Sequence, residues 1–206
     1  MKYLNLGVIA AAAMAVSAGC AAAQTVSQAP GIYLQANLGS GVGGNTHISL
    51  AESGVGSGRG DFNPKAGVFA SVAAGKSYRN GLAAEVEGIY TRNDIDAQGL
   101  GATVTAYGVL ANLMYAVGRV GPIVPYVGAG AGFGGVRYSL PGASKDDNGL
   151  MWQVRAGASV PVTPKVSLDF GYRYLGTPNF KAANDTAYVK FHTELHVLSG
   201  GVRVRF

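Results

Sequence analysis

The residues of this chain best suited to chemistry lie near its end, in Phe191-His192-Thr193-Glu194-Leu195-His196. On a strand, residues two apart share a face, so His192, Glu194 and His196 would line up as two imidazoles and a carboxylate. Such a row can hold a metal or move protons. Counted back from Phe206, however, the same alternation turns Glu194 and His196 toward the apolar side of the last strand. A bulge near Gly200-Gly201 is therefore expected, returning them to the polar side in a solvated structural role.

Other motifs carry less. Gly39/Gly41/Gly44 and Gly130/Gly132/Gly135 match G-x-G-x-x-G, but a dinucleotide site needs a helix to follow, and neither stretch leads into a helical pattern. Arg59-Gly60-Asp61 sits in a glycine-rich segment expected to be a mobile loop, and the tripeptide is familiar as an integrin-binding sequence. Lysines and arginines are spread along the chain without interleaved aromatics, so nucleic acid is not an expected partner. No metal or cofactor is expected.

Residues 1–23 read as a signal peptide: Lys2, then an apolar run, then Ala21-Ala22-Ala23 before Gln24. Cys20, the single cysteine, is either removed with that segment or is a lipid attachment site after Ala18-Gly19. Both alternatives mean export. Residues 24–206 are expected to form one domain, and no disulfide framework holds it.

The chain has 13% charged residues and 32 glycines, and the pattern of that domain is period two. Ile32, Leu34, Ala36 and Leu38 alternate with Tyr33, Gln35 and Asn37; seven further segments repeat the contrast. The charged residues Glu85, Glu87, Arg155, Asp169, Arg173, Arg203 and Arg205 fall on the polar or small face, with Lys76 an exception near a strand end. Three acids and four bases on one face neutralise each other only where that face converges on itself. Inside a bilayer no free sheet edge is tolerated, and segments of about ten residues with apolar-out, polar-in alternation are the mark of a small membrane barrel. The fold class expected is all-β, an eight-stranded antiparallel up-and-down transmembrane β-barrel. Its interior is just wide enough for side chains to fill, so the charges are expected to form a plug. Gly128, Gly130 and Gly132 are expected to face inward and leave room for Gln153 and Arg155. Short turns are expected at 79–81, 118–122 and 161–164, and long loops at about 39–64, 92–102, 135–149 and 176–188. Two aromatic girdles follow: Tyr78, Tyr115 and Phe206 at the inner interface, Tyr90, Trp152 and Tyr174 at the outer one.

The stretches "PYVGAGAGFG", "LDFGYRYLG" and "GVRVRF" resemble the small outer-membrane β-barrel surface antigens, the opacity-protein-like group related in fold to the OmpA transmembrane barrel. The ending, with Val202, Val204 and Phe206 on alternate positions, looks like the C-terminal assembly signal of such barrels. The resemblance covers 31–206 and implies location in the cell outer membrane of a Gram-negative bacterium. The partners it implies are outer-membrane lipid and lipopolysaccharide, the barrel assembly machinery, and a host or environmental ligand at the loops. The chain stops at the barrel, so no peptidoglycan-binding domain is expected. The function expected is a non-enzymatic surface protein, an envelope scaffold displaying four loops. A narrow pore for ions or small solutes is one alternative; a lipid-modifying barrel enzyme is the other. Barrel-type lipid A deacylases carry a serine two residues after their histidine, where this chain has Glu194.

Overall fold

The computed structural model describes residues 30–52, 56–62, 67–97, 100–140, 143–177, 180–184 and 187–206. The expected signal peptide and Cys20 lie outside the described residues, as do the side chains of Arg59, Asp61 and His192. The strands are β1 (Gly31–Glu52), β2 (Gly56–Phe62), β3 (Val68–Ser77), β4 (Leu82–Ala97), β5 (Leu100–Ala116), β6 (Val124–Leu140), β7 (Ala143–Pro161), β8 (Val166–Gly176), β9 (Phe180–Asn184) and β10 (Ala187–Arg205). Eight of them pair in the order β1-β3-β4-β5-β6-β7-β8-β10, and β1 pairs with β10 to close the sheet. This is the eight-stranded antiparallel barrel that the alternation predicts. The closing seam runs from Tyr33↔Arg205 to Glu52↔Ala187.

One end of the barrel carries both ends of the sheet and three short connections. In the first of these, Gly81 takes φ +82°, a region open to glycine without steric cost, and Asn80 Oδ1 accepts from the Leu82 amide at 3.2 Å. In the turn before β8, Thr163 Oγ1 accepts from the Val166 amide at 3.0 Å. These local bonds fix the register of each hairpin at its base.

At the other end the segments expected as loops are strands. The β4–β5 ladder continues to Ala97↔Leu100 and the β6–β7 ladder to Leu140↔Ala143, while β2 and β9 prolong the hairpins beside β1 and β10. Arg59-Gly60-Asp61 lies in β2, with Arg59 opposite Ser49, and not in a loop. Outside the membrane both faces of a hairpin meet water, so alternation disappears from the sequence while backbone pairing goes on. Arg137 and Asp146 bridge the β6–β7 hairpin, Nε to Oδ1 at 2.7 Å, and the guanidinium holds the Asp146 carboxyl below its ordinary range.

The bulge also differs from expectation. The ladder is regular through Leu38↔Gly200 and Asn37↔Gly201, and the register shifts instead in β1, between Gly41 and Gly43 opposite Val197 and His196. Glycines on both sides of Val42 bend there at little cost. Because β10 itself stays regular, Glu194 and His196 keep the outward parity of Val202, Val204 and Phe206.

The outer wall is apolar. Val72, Val86, Val109, Leu113 and Phe170 are all more than half exposed, which in water would be a large apolar patch and in lipid is ordinary. Among the described residues no helix is long and apolar enough to cross a membrane. Val86 lies midway between the ends of the apolar belt. Val86→Arg is expected to lower unfolding free energy in lipid vesicles by about 2–4 kcal/mol, and Val120→Arg, in a terminal turn, by about 0–1 kcal/mol; urea titration of the two refolded variants checks the contrast.

Candidate functional site

Closure brings the inward side chains of the strands within reach of each other. In the middle of the lumen Glu87 Oε1 accepts from Arg173 Nη1 at 2.8 Å, and its Oε2 accepts from Gln153 Nε2 at 2.7 Å and Asn112 Nδ2 at 2.9 Å. Glu85 Oε1 accepts from Arg155 Nη1 at 2.7 Å, and Oε2 accepts from the Tyr33 hydroxyl at 2.8 Å. Toward the terminal end Tyr126 donates to Asp169 Oδ1 at 2.6 Å, and Arg203 Nε donates to Gln35 Oε1 at 2.8 Å. Asp169 stands 4.0 Å from Arg155 and 3.8 Å from Arg203. Arg173 lies 4.4 Å over the ring of Phe69, and Arg203 the same distance over Tyr33.

These groups are buried: Glu87 is 0% exposed and Arg173 1%. A charge taken out of water is costly unless it is paired and hydrogen-bonded. Three carboxylates, Glu85, Glu87 and Asp169, here meet three guanidinium groups, Arg155, Arg173 and Arg203, so the cluster is neutral. Arg205 stays at the terminal rim and makes no ion pair among the described residues. Its parity is right, but it lies too near the end of β10 to reach the centre.

Two further layers fill the lumen. Tyr33, Ala83, Met114 and Tyr126 cluster below the charges, toward the termini. Above them Phe69, Ile89, Val104, Ala106, Leu110, Val136, Met151, Leu175, Leu195 and Val197 form an apolar plug. Strict alternation implies a polar lumen and does not reveal this plug. The signal for it lies in runs such as Val109-Leu110-Ala111 and Tyr174-Leu175, where both faces are apolar. Gly128, Gly130 and Gly132 do face inward, but the space beside them is taken by β5 and not by Gln153 and Arg155. A methyl group on Gly130 would overlap Asn112, and one on Gly128 would overlap Met114. These are direct cross-strand pairs, whose side chains lean over the glycine.

On the outer wall, Tyr78, Tyr115 and Phe206 lie exposed near the terminal end, and Tyr90, Trp152 and Tyr174 lie nearer the hairpins. Lys76 points outward at the terminal end, its ammonium 5.8 Å from the Tyr78 ring centre, where a long stem can carry the charge back to water. Glu194 and His196 join the hairpin-side group. Tyr172 and His196 Nδ1 are hydrogen-bonded, His196 packs edge-on against Tyr174, and the Tyr174 hydroxyl is hydrogen-bonded to Glu194. Among the described residues no three His, Cys, Asp or Glu side chains converge to hold a metal. The two glycine motifs lie within β1 and β6.

An apolar belt around a filled, charged lumen is membrane-barrel construction, and the family model for the outer membrane protein beta-barrel domain matches residues 8–206. The chain belongs to the outer-membrane β-barrel family. Its place is the outer membrane. A protein of Brucella abortus is 36% identical over 80 residues, covering 32% of this chain and 28% of that relative, so the chain matches less than a third of the length of its curated relatives. Neisserial surface protein A, a solved structure, is 27% identical with a TM-score of 0.55, covering 87% of this chain and 100% of that one. The outer membrane protein AlkL, solved in lipid bilayers, is similar in fold at 17% identity and a TM-score of 0.52, covering 89% and 94%.

For this outer-membrane barrel the lumen network sets a sharp contrast. Glu87→Ala strands Arg173 in a buried site and is expected to cost about 3–5 kcal/mol. Asp146→Asn, at an exposed ion pair, is expected to leave stability unchanged within error. Equilibrium unfolding of the refolded variants measures both.

Proposed function

We propose that this chain is a non-enzymatic envelope protein whose barrel anchors four β-hairpins on the cell surface. The observation that carries this reading is the filling of the lumen. An aromatic layer, a neutral charge cluster and an apolar plug succeed each other along the barrel axis, and a passage for solute would need every one of them opened. With the short turns and both ends of the sheet in the periplasm, the long hairpins face outward. The girdle residues Tyr78, Tyr115 and Phe206, and Tyr90, Trp152 and Tyr174, seat the wall at the two interfaces. Val202, Val204 and Phe206 serve as the strand recognised during assembly. The similarity to Neisserial surface protein A agrees with a surface role.

The hairpins are the part that meets a host or the environment. Their ladders hold them clear of the bilayer, so a ligand reaches side chains on either face. Display of this kind needs a stable base, and the lumen network supplies it.

The test is conductance in planar bilayers with purified, refolded protein. Absence of stable single-channel steps is expected, and steps are expected to appear when Tyr33→Ala, Glu87→Ala and Leu110→Ala, one from each layer, are combined in a variant that still folds. Stable steps in the unaltered protein would overturn the scaffold reading in favour of a narrow pore. The same preparation incubated with lipid A is expected to leave its mass unchanged; loss of an acyl chain would establish a lipid-modifying enzyme.

A further inference from the structure

One face of the outer wall, across β7, β8, β10 and β1, is built unlike the rest of the apolar belt. Ala156, Ala158 and Gly200 face outward there between the taller Leu38, Phe170 and Leu198, all three more than half exposed. Together they leave a furrow of about 760 Å³ along the wall. The pairs Ala158↔Phe170, Gly200↔Phe170 and Leu38↔Gly200 set tall and small residues side by side on neighbouring strands. A surface that carries its ridge next to its hollow fits a second copy of itself turned about a two-fold axis, the Phe170 and Leu198 of each copy entering the hollow of the other. Acyl chains are as apolar as these side chains, so association in lipid depends on close packing and on hydrogen bonds, and small residues are what let two backbones approach.

The hydrogen bonds come from the hairpin side of the same face. Tyr172 lines the furrow, and its hydroxyl is hydrogen-bonded to His196 Nδ1. With that hydroxyl donating, the imidazole carries its proton on Nε2 and presents an N–H donor there. Two residues away, on the same strand and face, Glu194 is bonded to the Tyr174 hydroxyl, and a carboxylate accepts several bonds at once. A donor and an acceptor placed in this way are self-complementary. A two-fold axis between them, parallel to the barrel axis, brings His196 of one copy to Glu194 of the other and repeats the contact in reverse. Ionisable groups at a lipid-facing wall are costly, and an exchange between copies lowers that cost.

We propose that this face is the interface of a two-fold symmetric dimer of the barrel in the membrane, packed ridge into hollow, with His196 and Glu194 bonded between copies. The occupant is a second copy because one surface supplies the ridge, the hollow, the donor and the acceptor. Both barrels stay closed, and the dimer sets two groups of hairpins side by side. The interface lies on the outer wall and conductance depends on the lumen, so failure of this proposal leaves the scaffold reading standing.

The test uses full-length chains with Cys20 replaced by serine and Val120→Cys, in a terminal turn, carrying donor or acceptor dyes. They are refolded and mixed in phosphatidylcholine vesicles at high dilution, where energy transfer measures association. Transfer well above the level of random encounter is expected for the unaltered wall. Ala156→Phe, which blocks the hollow, is expected to lower it severalfold, and Leu113→Phe, on another part of the wall, to leave it unchanged. His196→Phe removes the donor and Glu194→Ala the acceptor, so each variant alone loses both bonds and is expected to associate severalfold less. A mixture of the two keeps one donor–acceptor contact, and transfer between unlike chains is expected to exceed transfer within either. Heat-modifiable migration confirms that each variant is folded. Transfer at the random level in the unaltered protein, transfer that survives Ala156→Phe, or a mixture that associates no better than its components would each overturn the proposal. So would a monomer that retains a lipid in the furrow on native mass spectrometry.

Discussion

A bilayer interior offers no hydrogen bonds, and this single constraint governs the molecule. Every amide and carbonyl that a spanning strand carries must find its partner on another strand, so the sheet must come back to itself. The pairing of β1 with β10 is that return. Without it, two edges of unpaired backbone would face lipid. The regular register from Tyr33↔Arg205 to Gly41↔Val197 shows a seam built like any other pair in the barrel, with the one irregularity placed where Gly41 and Gly43 flank Val42.

Closure then dictates the interior. Eight strands enclose a space that side chains fill, so inward residues meet whether or not they are neighbours in sequence. Glu87 on β4 bonds Arg173 on β8, across the lumen. In so narrow a space a lone charge would be untenable, and three acids are matched by three bases. The glycines of β6 are part of the same fit, because Asn112, which bonds both Glu85 and Glu87, occupies the space a Cβ on Gly130 would need. Small residues on one strand thus determine where polar groups sit on the next.

The barrel was legible because one physical contrast, lipid outside and packed protein inside, is written into every spanning strand. Ile32, Leu34 and Leu38 against Tyr33, Gln35 and Asn37 is enough to assign faces, and the charges identify the inner one. Three features were not legible. The hairpin extensions of β1, β4 to β7 and β10 carry no such contrast, since water meets both faces there. The apolar plug uses residues such as Leu110 and Leu175, whose type suits either face and whose position is set only by parity. The outward placement of Glu194 and His196 departs from the rule that charge belongs inside, a rule that only a bulge such as the one expected at Gly200-Gly201 could have kept. The strands kept their register, and the polar residues are accommodated by Tyr172, Tyr174 and Trp152 at the depth where amphipathic groups are stable.

Closure can be tested at the seam itself. Leu34 and Val204 are outward partners across β1 and β10, and with Cys20 replaced by serine a pair of cysteines at these two positions would be the only thiols. After refolding in detergent and mild oxidation, a cross-link between them is expected in the fast-migrating, unboiled band, and none is expected when Leu34→Cys is paired with Leu113→Cys on the far wall. A folded, heat-modifiable chain that forms no cross-link at Leu34 and Val204, or forms it equally with Leu113, would contradict the closed barrel described here.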